Sequence, residues 1–296
     1  MNNSHLPNPR IAFWGTSRFS VFILEEMARE SNSLPALIIT APPKPKGRGL
    51  ELAPSEVKVW ADAHGIPTLE PKEIKSEDFL NSLKALGHWD MFVVASYGKI
   101  IPRAIIDLPT NGTLNVHPSL LPALRGPSPI QSAILEDAPI GETHESGVTI
   151  MLIDEQVDHG AIVAQEKMTI PNWPPRGSEL EAILGKKGGE LLVQTIPKWI
   201  AGSIAIRPQN HTLATFSKKI SKQDAELDLN DPATSLRKIR AFDIWPRAYF
   251  VTERNGRPMR VVVTEAHLEN EALVIDRVVP EGKRKMSYAD FTRGQK

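Results

Sequence analysis

Gly112-Thr113-Leu114-Asn115-Val116-His117-Pro118-Ser119-Leu120-Leu121-Pro122 reads as a short apolar strand that stops at a polar pair and passes into a turn-rich segment. Side chains alternate along a strand, so Asn115 and His117 share one face. Working outward from this stretch, short apolar runs alternate with helical patterns through the first two hundred residues. The strand candidates are Ile11 to Trp14, Ala36 to Thr40, Asp90 to Ser96, Thr113 to Val116 and Gly147 to Ile153. Between the first two, Phe19, Phe22, Ile23 and Met27 recur at helical spacing. That rhythm predicts an α/β fold, a Rossmann-like and mostly parallel sheet with helices on both faces. A second helix from Glu179 to Ile200 carries Leu180, Ile183, Leu184, Leu191, Leu192, Ile196 and Trp199 as its inward stripe, and Gly188-Gly189 allow a kink in it.

Apolar periodicity fades from Ile206 to Asn230, which reads as a linker between a catalytic domain of residues 1–205 and a C-terminal domain of residues 231–296. The second domain begins with helix-start signals, Asp231 as cap and Pro232 in the first turn, with Leu236, Ile239 and Phe242 facing inward. Strand patterns follow at Ala248 to Thr252, Met259 to Glu265 and Ala272 to Val279, with Asn255-Gly256 as a hairpin turn. The expectation is a small β barrel.

A chain of 296 residues with 41% hydrophobic and 24% charged residues has enough apolar material for two cores, which excludes disordered and fibrous classes. No apolar run approaches the roughly 18 residues of a membrane helix. The first ten residues are polar, so a soluble cytoplasmic protein is expected. With no cysteine, disulfide scaffolds, thiolate metal sites and cysteine nucleophiles fall away together. No histidine stands at a ligand spacing with a carboxylate helix, so no metal is expected. Residues 1–206 hold 18 Lys+Arg against 23 Asp+Glu, and residues 207–296 hold 17 against 12. A surplus of that size suits a solvated face or a polyanion such as RNA, and by itself does not choose between them.

In open α/β sheets ligands bind beyond the carboxyl ends of the strands, where Asn115 and His117 are expected. The second polar element, Asp154-Glu155-Gln156-Val157-Asp158-His159-Gly160, follows the strand from Gly147. If that strand runs parallel to the Thr113 strand, both tips open into one cleft and set a carboxylate opposite an imidazole, as proton transfer in acyl chemistry requires. Taken singly, an Asn-x-His pair also suits a satisfied core, and an aspartate beside a glycine also suits a turn. Gly15-Thr16-Ser17 lacks the dinucleotide spacing, so no NAD site is inferred.

The combination Asn115-Val116-His117-Pro118-Ser119-Leu120-Leu121-Pro122, Arg125-Gly126, Pro129-Ile130-Gln131 and Val157-Asp158-His159-Gly160 resembles the formyltetrahydrofolate-dependent formyltransferase family. Further likeness lies in Arg10 to Thr16, Lys44 to Gly49, Ala95 to Pro102, Ile239 to Pro246 and Pro280 to Met286, so it spans nearly the whole chain. The Lys44 to Gly49 loop and the Arg240-Ala241-Phe242 block narrow it to members that formylate the methionine carried by initiator tRNA. A family member acting on a nucleotide-linked amino sugar is the alternative. Ser17 and Pro43 replace the family's usual proline and aspartate, and the stretch around Glu142 to Ser146 looks longer than usual and is expected as a loop.

The resemblance implies 10-formyltetrahydrofolate as co-substrate, initiator methionyl-tRNA as partner, and a monomer. It implies Asn115, His117 and Asp158 as the catalytic residues. The amide and imidazole would donate to the oxygen that gains charge as an amine attacks the formyl carbon. The carboxylate would accept the amine's proton and orient His117, which can also return a proton to the departing nitrogen; the sequence leaves the division of these duties between the two open. Folate would lie against Ser96, Tyr97, Gly98 and Ile100, against Ser119, Leu120, Leu121 and Pro122, and against Asp154 and Val157. Lys44, Lys46 and Arg48, with Lys283, Arg284 and Lys285, would meet tRNA phosphates, and the C-terminal domain would be an OB-like barrel, abbreviated because few residues separate Met259 from Pro280.

Overall fold

The strand Ile11–Gly15 (β1) is buried at every position, which demands cover on both faces and places it in the middle of a sheet. The structure, a computed structural model, describes residues 8–30, 33–46, 50–136, 138–254 and 256–294. After β1 come α1 (Arg18–Arg29), β2 (Leu37–Ile39), β3 (Lys44–Lys46), β4 (Glu51–Ala53), α2 (Glu56–Ala63), β5 (Thr68–Leu69), α3 (Glu77–Ala85), β6 (Met91–Ala95), α4 (Arg103–Ile106) and β7 (Thr113–His117). They are followed by α5 (Pro129–Leu135), β8 (His144–Leu152), β9 (Ile162–Ile170), α6 (Gly177–Ile200) and α7 (Pro232–Ala241). The chain then makes β10 (Tyr249–Arg254), β11 (Arg257–Glu269), β12 (Ala272–Pro280), β13 (Met286–Ser287) and α8 (Tyr288–Arg293).

Two compact units result, one from residues 1–125, 147–167 and 182–215, the other from 126–146, 168–181 and 216–296. The first is built on a seven-stranded sheet of order β5-β2-β1-β6-β7-β8-β9. Strands β5, β2, β1, β6 and β7 run parallel, so the mostly parallel sheet expected from the sequence is present. The strand order reverses between β1 and β6, the position at which an α/β sheet opens a crevice. On one face Ala12, Trp14, Phe92 and Val94 pack with Phe79 and Leu83 of α3 and Ile105 and Ile106 of α4. Val94 pairs with Asn115, so Asn115 and His117 lie on that same face.

The opposite face meets α6. This helix runs unbroken for 24 residues, so Gly188-Gly189 do not interrupt it. The glycines serve close approach instead. A Cβ on Gly188 would sit 2.7 Å from Val116 Cγ1, one on Gly189 2.7 Å from Glu26 Cβ, and one on Gly185 2.8 Å from Phe22 Cβ. Ile183, assigned to the inward stripe, is 38% exposed. The glycine surface lies along the buried side of the helix and displaces it.

Strand β8 departs from the expectation. It pairs antiparallel with β7, with Asn115 opposite Met151 and His117 opposite Thr149. Its carboxyl end therefore lies beside the start of β7, not beside His117. It also begins at His144, so the supposed loop at Glu142 to Ser146 is partly strand.

The second unit holds a four-stranded antiparallel sheet of order β10-β11-β12-β13. Ile239 of α7 and Phe291 of α8 pack against Phe250, Val261 and Val278 of that sheet. The cap of α7 is as expected, Asp231 accepting from the Thr234 amide at 3.1 Å. Asn255 of the expected hairpin turn lies outside the described residues, and Arg254 pairs with Arg257 across that turn. The Arg240 to Asp243 block is structural within this unit: Arg240 donates to the Pro174 carbonyl at 3.0 Å, and Asp243 accepts from the Ser178 amide at 3.1 Å and hydroxyl at 2.5 Å.

Helical Gly→Ala changes usually stabilise, but Val116 is 1% exposed on an inner strand and has nowhere to move. Gly188→Ala is therefore expected to lower stability by about 1–3 kcal/mol. The check is a urea midpoint that falls with no change in slope.

Candidate active site

Asn115 is third of five residues in β7 and His117 is last, so the two same-face side chains lie one behind the other toward the carboxyl end. Because β8 is antiparallel, its exit cannot deliver Asp158 directly. The connection of residues 153–161 instead brings the carboxylate back. Asp158 Oδ1 stands 3.5 Å from Asn115 Nδ2 and 3.6 Å from His117 Nδ1. The imidazole side chain is 5% exposed and the carboxylate 14%, so both groups are largely buried.

The tautomer follows from the other side of the ring. His117 Nε2 lies 3.1 Å from the Leu124 carbonyl oxygen. A carbonyl only accepts, so Nε2 carries hydrogen and Nδ1, facing Asp158, is the atom that takes or gives a proton. At 3.6 Å the separation of Nδ1 from the carboxylate is longer than a hydrogen bond.

The return loop is held in an unusual backbone path. Asp158 has φ of +53°, a left-handed conformation that aspartate tolerates better than most residues. Gly160 passes so close to β8 that a Cβ there would meet the Leu152 carbonyl oxygen at 1.9 Å. Asp154, expected at the folate, accepts from the Gln156 amide at 2.9 Å and faces His159 Nδ1 at 2.7 Å. His159 stacks on His211 with ring centres 4.0 Å apart. Lost hydration, then His159 and Arg125, hold His211 below the usual histidine range, so its Nδ1 is free to accept from Arg125 Nη2 at 2.8 Å.

The other expected folate contacts divide into two kinds. Ser119 is buried and donates to the Ala123 carbonyl at 2.6 Å, and Leu121 is 3% exposed and packs with Met151 and Ile162. Thr149 Oγ1 donates to the Ser119 carbonyl at 2.7 Å and accepts from the Leu121 amide at 3.1 Å, so these residues frame the loop after β7. Leu120 and Pro122 are half-buried beside them. Tyr97 turns inward, edge-on to Trp14 with ring centres 5.3 Å apart, and burial pushes its hydroxyl up to about 12. It stays neutral at ordinary pH. By contrast Ser96 is exposed, Ile100 is 72% exposed and Val157 60%. A Cβ on Gly98, whose φ is +81°, would meet nothing within 4 Å.

Of the basic residues expected to meet RNA, Lys44 is exposed on the β3–β4 hairpin, and Arg48 lies outside the described residues, as does the side chain of Lys46. In the second unit Lys283 and Arg284 are exposed after β12, and Lys285 pairs with Glu265. The residues that sequence reasoning missed are Gln209, Thr149 and the Leu124 carbonyl. A lone glutamine in a polar stretch and a main-chain oxygen carry no pattern to find.

Two family models match this chain, that described as formyl transferase over residues 9–196 and that of the formyl transferase C-terminal domain over residues 219–272. The chain belongs to the formyl transferase family. A methionyl-tRNA formyltransferase of Chloroflexus aurantiacus is 40% identical over 254 residues, which cover 86% of this chain and 79% of that enzyme. Among solved structures, HypX from Aquifex aeolicus in complex with tetrahydrofolic acid matches with a TM-score of 0.64 at 17% identity, over 96% of this chain and 47% of that one. A 4-N formyltransferase from Francisella tularensis gives 0.62 at 19% identity, over 84% and 95%. At those identities the two structures speak for the fold alone.

Since the Leu152 carbonyl is main chain and cannot yield, Gly160→Ala is expected to displace the formyltransferase's return loop and to lower kcat about 100-fold. Steady-state kinetics beside a melting curve checks this, the folded fraction being required to stay high.

Proposed function

We propose that this formyltransferase moves the formyl group of 10-formyltetrahydrofolate to the free amino group of methionine on initiator tRNA, as a cytoplasmic monomer serving translation initiation. The observation that carries the reading is the meeting of Asn115, His117 and Asp158 around one carboxylate oxygen, at 3.5 and 3.6 Å. The acceptor is favoured by the methionyl-tRNA formyltransferase of Chloroflexus aurantiacus, alike at 40% identity, whereas the 4-N formyltransferase is alike at 19%.

In this reading Asn115 Nδ2 donates to the formyl oxygen as it gains charge, and protonated His117 Nδ1 supplies the second donor. Asp158 takes the proton of the attacking amine, within reach of the imidazole that returns one to the departing nitrogen. The formyl donor supplies a flat ring system and an activated one-carbon unit. Its fit is supported by exposed Ile100 and Val157, which offer apolar surface, and by the open space over Gly98 where the backbone is accessible. Ser96, Leu120, Leu121, Pro122 and Asp154 complete the proposed folate contacts, with Tyr97 and Ser119 contributing main chain. No group of three or more metal-ligating side chains occurs among the described residues, and no step here needs one.

Residues 1–205 are the proposed catalytic domain and residues 231–296 the RNA-binding one. Lys44 and Lys46 of β3, Arg48, and Lys283, Arg284 and Lys285 are assigned to phosphates as charge contacts that do not read sequence.

The test offers purified protein 10-formyltetrahydrofolate with either methionyl initiator tRNA or an amino-sugar nucleotide. A formyl mass gained on the methionine carries the reading, and transfer to the sugar alone sinks it. Asn115→Ala, His117→Ala and Asp158→Ala are each expected to lower kcat by at least about 10²- to 10³-fold with the fold intact by circular dichroism. Lys44→Ala is expected to weaken tRNA binding and to reduce the slope of log affinity against log salt by about 1.

A further inference from the structure

Two buried side chains outside the catalytic trio tie its two loops together. Gln209 is 5% exposed and Arg125 4%. Arg125 donates to Gln209 Oε1 from Nε at 3.1 Å and from Nη2 at 2.6 Å. A guanidinium has only donors, so the glutamine oxygen is fixed toward it and the amide nitrogen must face away. That nitrogen donates to the Asp158 carbonyl at 2.9 Å and to the Gly160 carbonyl at 2.7 Å. Both acceptors belong to the turn in which Asp158 holds φ of +53°.

The same segment reaches the imidazole. Thr215 Oγ1 accepts from the Leu124 amide at 2.8 Å, and the Thr215 carbonyl accepts from the Arg125 amide at 2.9 Å. Leu124 in turn supplies the carbonyl that receives His117 Nε2 at 3.1 Å. The stretch 207–215 thus grips the turn carrying the carboxylate and the turn that sets the imidazole tautomer.

We propose that Gln209 is a positioning residue for formyl transfer: its amide, oriented by Arg125, aims the Asp158 carboxylate at Asn115 and His117. This rests on the reading that those three residues carry the reaction. The competing explanation is packing alone, and Gln209→Glu separates the two. Glutamate keeps the length and the Arg125 contact but presents an acceptor to two carbonyls that need a donor. Aim lost by an ångström costs about 10²-fold in rate.

The experiment measures kcat, both KM values and melting temperature for wild type, Gln209→Glu and Gln209→Ala. The expected result is a kcat lower by about 10- to 100-fold in both variants, with each KM within about threefold of wild type and Gln209→Glu fully folded at the assay temperature. A Gln209→Glu enzyme with kcat within about twofold of wild type overturns the proposal. Should Gln209→Glu not fold, Gln209→Met fills the volume without a donor and is held to the same kcat criterion. Failure of the underlying reading looks different, since there wild type transfers no formyl group or Asp158→Ala turns over normally.

Discussion

Everything in the catalytic unit follows from one constraint: a carboxylate has to reach the middle of β7 from a strand that leaves in the wrong direction. Since β8 runs antiparallel to β7, the chain after Leu152 starts at the far end of the sheet from His117. Reversal within a few residues requires a left-handed Asp158 and a glycine at position 160 that lies on the Leu152 carbonyl. Such backbone is costly in isolation and persists only when neighbours over-determine it. Gln209 supplies that, donating to two carbonyls of the turn while its own oxygen is held by a buried cation.

The opposite face of the sheet obeys a second demand for proximity. Val116 alternates with Asn115 and His117, so whatever packs against Val116 fixes the height of the reactive pair. Gly188 lets α6 come within van der Waals distance of that valine, and Gly185 and Gly189 do the same against α1. A helix built on glycine loses intrinsic propensity and gains registration. Here the registration fixes β7 from behind while its front carries Asn115 and His117.

The sequence was most informative where periodicity and local chemistry agree. Strands β1, β6 and β7 and helices α1 and α7 lie where apolar spacing and the Asp231-Pro232 cap put them. Asn115 and His117 share a face because period two is a property of any strand, and the resemblance to formyltransferases picked out Asp158. What was not legible is long-range. Orientation of β8 is set by its partner, not by its own composition, so the parallel reading had no local signal against it. Polarity made residues 206–230 look like a linker, yet Arg207 bridges Ile162 and Gln209 is buried, since a polar side chain can go inside when its partners are charged or main chain. Arg240-Ala241-Phe242 suggested RNA by resemblance, while in the fold its arginine, depressed by burial from the usual guanidinium range, holds a carbonyl.

The tie between Arg125 and Gln209 spans 84 positions of sequence. Recombination between family members, or the excision of a minimal catalytic fragment, would naturally be attempted at the polar stretch after α6. A cut at residue 205 leaves every strand of the larger sheet, and Asn115, His117 and Asp158, in the fragment. It also removes the amide under the Asp158 turn and the glutamine oxygen to which Arg125 donates. Chimaeras joined beyond residue 215 keep Arg125 and Gln209 from one parent, and those joined between residues 125 and 209 take the two from different parents.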